Sequence, residues 1–115
     1  LKGETISDML YDDKTGNCWL ASLTNGVYCV DNNFQIKHHY NKQNTPAYFL
    51  TNSVRTLSGD DKGRVWIGTM EGLLILEPET GTFRICRFSP EDPTTLGHNS
   101  IRSILKDNRY ILRRA

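Results

Sequence analysis

The stretches VWIG (65–68) and LLIL (73–76) are apolar at every position. A sheet with one wet face alternates apolar and polar residues; a strand covered on both faces reads as a continuous apolar run. Turn-forming clusters separate these runs at the roughly 8–12-residue spacing of an all-β chain. The pattern predicts strands over 54–58, 64–69, 73–77 and 82–88, joined by GDDKG, MEG and PETG. A similar series precedes it, with strands over 6–11, 17–22, 27–31 and 34–40. The turns DDKTG and LTNG are each one residue longer than their later counterparts, and Asn25-Gly26 is a strong hairpin signal.

The chain therefore repeats itself. Trp19 and Trp66 lie 47 residues apart, and Ile101 follows Val54 by the same interval. NSIRSILKDN at the third occurrence echoes NSVRTLSGDDK at the second. A period of this length belongs to solenoids, propellers or arrays. Small four-stranded sheets covered on both faces are propeller blades, because each packs between two neighbours. A two-sheet sandwich would leave one face of each sheet wet and would alternate more. The expected fold is all-β: a fragment of a β-propeller, with two four-stranded antiparallel blades plus the first strand of a third. The units are 1–53 and 54–100, each a repeat with its link, and 101–115, the start of a truncated third repeat.

Composition narrows the function. The 115 residues are 37% hydrophobic and 23% charged, which is globular rather than disordered. Fourteen basic residues face thirteen acidic ones, so no net field attracts nucleic acid or an anionic membrane. No apolar run reaches the length of a membrane-spanning helix. The opening LKGETIS lacks Met and a signal peptide and suggests a processed or excised piece. Cys18, Cys29 and Cys86 are an odd number without a CxxC pair, which disfavours a disulfide framework or a zinc site. They read as small apolar fillers, although Cys18 and Cys29 fall on expected hairpin partners and leave one disulfide open.

The run DDKGRVWIGTMEGLLILEPETGTF, followed by FSPEDPTTLGHNSIRSI, resembles the two-component regulator propeller repeat. The second repeat matches its pattern at Asp61, Gly63, Trp66, Ile67, Gly68, Thr69, Gly72, Leu73 and Pro78, then at Asp92, Pro93, Leu96, Asn99 and Ile101. The first keeps Asp13, Gly16, Trp19 and Gly26, but has Leu20-Ala21-Ser22 for Ile-Gly-Thr. The resemblance covers roughly residues 5–107. It departs at the tail, where RYILRRA replaces a Gly turn and a further Trp strand. The third blade is thus expected to be little more than one strand, with Arg109, Arg113 and Arg114 in a solvated tail.

The resemblance implies a role. Such repeats build the periplasmic sensor region of membrane-anchored hybrid two-component regulators, chiefly in gut Bacteroides. They bind oligosaccharides and signal to a histidine kinase, a phosphorelay and a DNA-binding domain, none of which lies in this segment. The segment itself is read as a non-catalytic part of a carbohydrate sensor, with no cofactor and no metal.

The residues that invite chemistry mostly have plainer readings. Trp19, Gly26, Asp61, Gly63, Trp66, Gly68, Thr69 and Gly72 are structural repeat positions, and a tryptophan in every repeat is packing before it is a sugar platform. Asp12-Asp13 and Asp60-Asp61 read as turn chemistry; they lack the alternating oxygen ligands of a calcium loop and the paired environments of an acid/base couple. His38 and His39 point to opposite faces of a strand and cannot easily share a metal. His98 falls in a link. Candidate ligand contacts are the links and turns, for example 41–52 and 89–100. A scaffold propeller is the alternative, its one hint being Tyr48 and Phe49 in PAYFL; an enzyme would need convergent carboxylates or a His/Tyr pair, which are absent. Two blades alone would expose apolar faces, so self-association through open faces or edges is expected.

Overall fold

The computed structural model describes residues 3–86, 101–107 and 109–114. Its first sheet is an antiparallel meander of β1 (Ile6–Asp12), β2 (Asn17–Ser22), β3 (Gly26–Val30) and β4 (Ile36–Tyr40), in that spatial order. The second repeats it with β5 (Val54–Gly59), β6 (Val65–Thr69), β7 (Gly72–Glu77) and β8 (Thr82–Cys86). β9 (Ile101–Asp107) opens a third unit and pairs antiparallel with β10 (Arg109–Arg114). The third unit is therefore a hairpin rather than one strand with a solvated tail. Tyr110 and Ile111 supply aromatic and β-branched residues that favour a strand there.

Two strand starts fall later than the pattern predicts, and carboxylates cause both. Asp31 accepts the backbone N–H groups of Asn33 (2.9 Å) and Gln35 (3.0 Å), so the turn runs on and β4 begins at Ile36. Asp60 accepts the N–H of Arg64 (2.8 Å), and β6 begins at Val65. The first turn forces Phe34 to φ 62°, the only positive φ at a non-glycine residue among the described residues. A left-handed bulky residue costs roughly 1–2 kcal/mol. The same place in the second blade holds Gly81, at φ 70°.

The core lies between the two blades. Rows of paired residues show which side chains share a face. On the first blade, Leu10, Trp19, Cys29 and His38 form one row and Ala21, Val27 and Tyr40 the next. They meet the rows Leu57–Ile67–Leu74–Ile85 and Val65–Leu76–Phe83 of the second blade. Trp19 stacks on Tyr40, and Phe83 meets Tyr40 edge-on, with centroids 6.5 and 5.2 Å apart. Leu73 and Ile75 are buried on the far side of the second blade. Its strands are thus apolar on both faces because both faces are covered, and β9 lies against β5 and β6.

Side chains join the blades where ladders cannot. β5 lies beside β1 as the first strand of its own sheet, without a ladder partner on that side. Ser7 Oγ donates to the carbonyl of Val54 (2.6 Å), and Asp8 accepts the N–H of Leu57 (2.8 Å) and the hydroxyl of Thr56 (3.2 Å). These bonds satisfy polar groups that would otherwise line the join unpaired.

The link 41–52 is part of the packing. Asn41 and Asn44 exchange reciprocal amide bonds, and Asn52 accepts the N–H of Lys42 while donating to Gln43. With its polar groups met locally, the link drops Phe49 into the core at 1% exposure and stacks Tyr48 on Phe83. The PAYFL aromatics therefore do not form an exposed patch. The link 89–100, with His98, lies outside the described residues.

Gly26 carries the sharpest backbone demand. It sits at φ 82°, and a Cβ there would collide with the carbonyl of Tyr40 and crowd Asn41. Gly63 has a similar φ of 76° but open space around it. Gly26→Ala is expected to cost roughly 3 kcal/mol, strain plus overpacking, and Gly63→Ala only about 1 kcal/mol. Urea denaturation of the two variants checks this; equal losses would mean that the close approach of β4 to the β2–β3 turn does not constrain the fold. Phe49→Ala is expected to cost about 3–5 kcal/mol on the same curves.

Candidate functional site

The turns joining β1–β2, β3–β4, β5–β6 and β7–β8 all lie at one end of the blades; the link lies at the other. Between the first repeat's β1–β2 turn and the second repeat's β5–β6 and β7–β8 turns runs a groove of about 620 Å³. Leu10, Trp19 and Val65 reach it from the blade core. Its polar lining comes from the turns: carboxylates at Asp12, Asp13, Asp60, Asp61, Glu77 and Glu79, and cations at Lys14, Lys62 and Arg64.

The two repeats build its walls in the same way. Asp12 accepts the N–H of Lys14 (3.0 Å) and the hydroxyl of Thr15 (2.9 Å). Asp60 accepts the N–H of Lys62 (2.9 Å), the Arg64 guanidinium and the Trp66 indole N–H (3.1 Å). Burial alone would raise the Asp60 pKa, since its side chain is only 2% exposed. The N–H of Arg64, the Trp66 ring, the Arg64 side chain and the N–H of Lys62 outweigh burial and hold it below the usual carboxylate range. A carboxylate locked in its ionised form is the reverse of what a general acid needs. Asp60 thus fixes the groove wall, while Asp13, Lys14 and Glu79 are exposed on it.

The repeat positions fall into packing and turn roles. Trp19 is buried between the blades, and Trp66, on the corresponding face of the second blade, is half-buried. Thr69 Oγ1 donates to the carbonyl of Gly72 (2.8 Å) and accepts the N–H of Glu71 (3.0 Å), closing the β6–β7 turn. Ser22 repeats that role by accepting the N–H groups of Thr24 and Asn25, so Leu20-Ala21-Ser22 keeps the hydroxyl where it is used. Gly68 is buried on β6 between Thr56 and Leu73. Asp61 and Gly63 are exposed on the groove turn, and the hydrogen bonds that organise the turn centre on Asp60.

Among the described residues, the cysteines and histidines add no reactive centre. Cys18 pairs across from Val30 and Cys29 from Trp19, so the two thiols point to opposite faces of one sheet and cannot bridge. Burial pushes the Cys29 thiol up to about 11, away from thiolate reactivity. His39 stacks on Tyr28 at 3.9 Å and bonds the carbonyl of Asn25, whereas His38 stacks with Tyr40 on the other face. The described residues hold no cluster of three or more metal-ligating side chains. The sequence pointed to the links and turns as contact segments; the groove is lined by turns, at the end opposite the link 41–52. Only the pairing of the repeats brings DDKTG beside DDKG, and no local motif announces that.

Residues 48–71 match the family model described as the two component regulator propeller. The match runs from the link aromatics through β5 and β6. Solved structures similar to the chain come from B. thetaiotaomicron. The extracellular domain of BT4673, described as a hybrid two component system, shares 20% identity at a TM-score of 0.79 over 97% of this chain. A second structure of that domain, described there as a one component system, gives 19% and 0.77, again over 97%. The extracellular domain of BT3049, described as a hybrid two component system, gives 27% and 0.72 over 96%. In each case the chain spans 14% of the solved structure's length. The fold is that of consecutive propeller blades. No curated protein is similar enough in sequence to count as a relative.

Asp60→Asn places an amide N–H₂ against the Arg64 and Trp66 donors and is expected to cost about 2 kcal/mol at neutral pH. Because the folded pKa is lowered, this contribution is complete above the unfolded value of about 3.9 and is lost as pH falls through the folded pKa. Urea midpoints of wild type and variant should therefore differ by a constant amount from pH 7 to 5 and converge in more acidic solution. A gap that persists there would show that the ionised form is not what the cluster stabilises.

Proposed function

We propose that this chain is part of the periplasmic, ligand-sensing propeller of a membrane-anchored hybrid two-component sensor histidine kinase/response regulator, and that its groove contacts an oligosaccharide. The propeller repeat and the extracellular domains to which the chain is similar support the sensor role. The observation that carries the ligand assignment is the composition of the groove. Acceptors and donors stand side by side along two facing turns, as Asp12-Asp13-Lys14 and Asp60-Asp61-Lys62, above the edge of a buried aromatic core. Mixed donors and acceptors suit a neutral polyol, whose hydroxyls both give and take hydrogen bonds.

The arrangement also suits a sensor because the groove is made of turns. Turn residues can change without disturbing the packed faces of the blades, so specificity can vary on a constant scaffold. The scaffold alternative rested on exposed link aromatics, and Phe49 is instead core.

Titration of the chain with plant and host oligosaccharides, followed by backbone amide NMR, tests the reading. Shifts are expected at 12–15, 60–64 and 77–79. Lys14→Ala and Glu79→Ala should each weaken binding by about three- to tenfold. A neutral ligand should bind almost equally at low and high salt, whereas a charged one would be screened. Shifts confined to 41–52, or no binding across the panel, would overturn the assignment of the groove.

A further inference from the structure

We propose that the groove selects its oligosaccharide by charge: glycans bearing uronate or sulfate groups are rejected, neutral ones are accepted, and an amino sugar is bound best, with Glu77 and Glu79 as the determining residues. This inference rests on the reading of the groove as an oligosaccharide site and adds the class of sugar. Its first support is where the chain keeps its charge. The 115 residues carry fourteen basic and thirteen acidic groups, close to balance. The groove takes six of the thirteen acidic residues but only three of the fourteen basic ones. Its lining is therefore negative by three formal charges, while the remainder of the chain is net positive. A concave surface lined by one sign of charge concentrates ligands of the opposite sign and repels those of its own.

The cations present do not reverse that sign. Arg64 is committed to Asp60, to which its guanidinium donates. Lys14 follows Asp12-Asp13 and Lys62 follows Asp60-Asp61, so each lysine shares its turn with two carboxylates. An anion drawn to either lysine meets those carboxylates as well. The β7–β8 turn forms the third wall, and it lines the groove with Glu77, Pro78 and Glu79 and no basic residue. This turn is also built differently from the other two. In the β1–β2 and β5–β6 turns an aspartate side chain takes the backbone N–H groups. Here Thr80 and Gly81 donate to the carbonyl of Glu77 (3.3 and 2.8 Å), and Pro78 has its φ fixed by its ring. The turn therefore holds its shape without either glutamate side chain. Both are exposed, and their carboxylates are left to face what enters the groove.

The consequence for a sugar follows from its functional groups. Hydroxyls give and take hydrogen bonds, so a neutral glycan is served by carboxylates and lysines alike. A uronate or sulfate can only accept, and along this groove it runs between the Glu77-Pro78-Glu79 wall and the Asp12-Asp13 turn. Like charge placed beside a ligand's path rejects it without any change to the contacts that hold the right one. A protonated amine donates three hydrogen bonds and meets acceptors on both walls. An exposed carboxylate–ammonium approach changes affinity by about 1.5- to fivefold, so two glutamates acting together separate the classes by on the order of tenfold.

Three probes of equal length test the filter: a chitosan oligosaccharide, its fully N-acetylated neutral counterpart and an oligogalacturonate. Each is titrated into the chain at about pH 6, where carboxylates are ionised and the sugar amines protonated. EDTA is present, so that no divalent ion bridges two anions. Trp19 lines the groove and the Trp66 indole bonds Asp60, so tryptophan fluorescence reports binding, with amide NMR to place it. Affinity is expected to fall from the amino probe to the neutral one to the uronate, by roughly tenfold at each step. The ranking should collapse in about 1 M salt, where charges are screened beyond about 3 Å. The Glu77→Gln/Glu79→Gln double variant keeps side-chain length and an acceptor oxygen at each site. It should narrow the gap between the amino and uronate probes by about tenfold and leave the neutral probe within about twofold. An oligogalacturonate that binds as tightly as the neutral probe, or a ranking that neither salt nor the double variant alters, would overturn the charge filter and leave the groove as the site. No shift at 12–15, 60–64 or 77–79 with any probe would overturn the oligosaccharide reading and the filter with it.

Discussion

A sheet that is apolar on both faces cannot stand alone in water, and this constraint organises the molecule. β6 and β7 carry large side chains alternately to either side, and each side has a cover: the Trp19 face of the first blade on one, β9 on the other. Stacking of this kind needs no ladder hydrogen bonds between blades. It needs matched apolar faces and a way to satisfy the polar edge where inner strands pass. Ser7 and Asp8 supply the second requirement, and the Trp19–Tyr40–Phe83 contacts with the Phe49 plug supply the first.

The turns then become the variable part. With the faces committed to packing and the link to its own amide network, the end bearing the β1–β2 and β5–β6 turns is where the chain offers a lined concavity. Its carboxylates divide into two kinds. Asp12 and Asp60 close their own turns and hold the groove's shape. Asp13 and Glu79 present charge to solvent. A surface that keeps its organising residues separate from its exposed ones can change specificity at little cost in stability, which is what the proposed sensing role requires.

The strands were legible because their signals are local. VWIG and LLIL showed two covered faces, and turn clusters placed strand ends mostly to within a residue. The late starts, after Phe34 and Arg64, arose where an aspartate side chain took backbone N–H groups from the ladder; a sequence pattern registers residue type but not such competition. The packing role of the link was hidden for a related reason. Its polarity does not announce that the Asn and Thr side chains bond their own backbone and free Phe49 to enter the core. The single-strand reading of the third unit missed β10 because a basic run at a chain end resembles a tail, although its central residues are good strand formers.

The sequence by itself determined the repeat, its period, the strand order and the pairing of neighbouring strands, because each depends on residues close together in the chain. Only the tertiary structure decided what covers each face, that Cys18 and Cys29 point apart, that Asp60 takes the backbone N–H groups of the groove turn, and that two turns 48 residues apart form one groove. Those outcomes depend on how one blade lies on the next, and that geometry is set by side chains meeting across the stack rather than along the chain.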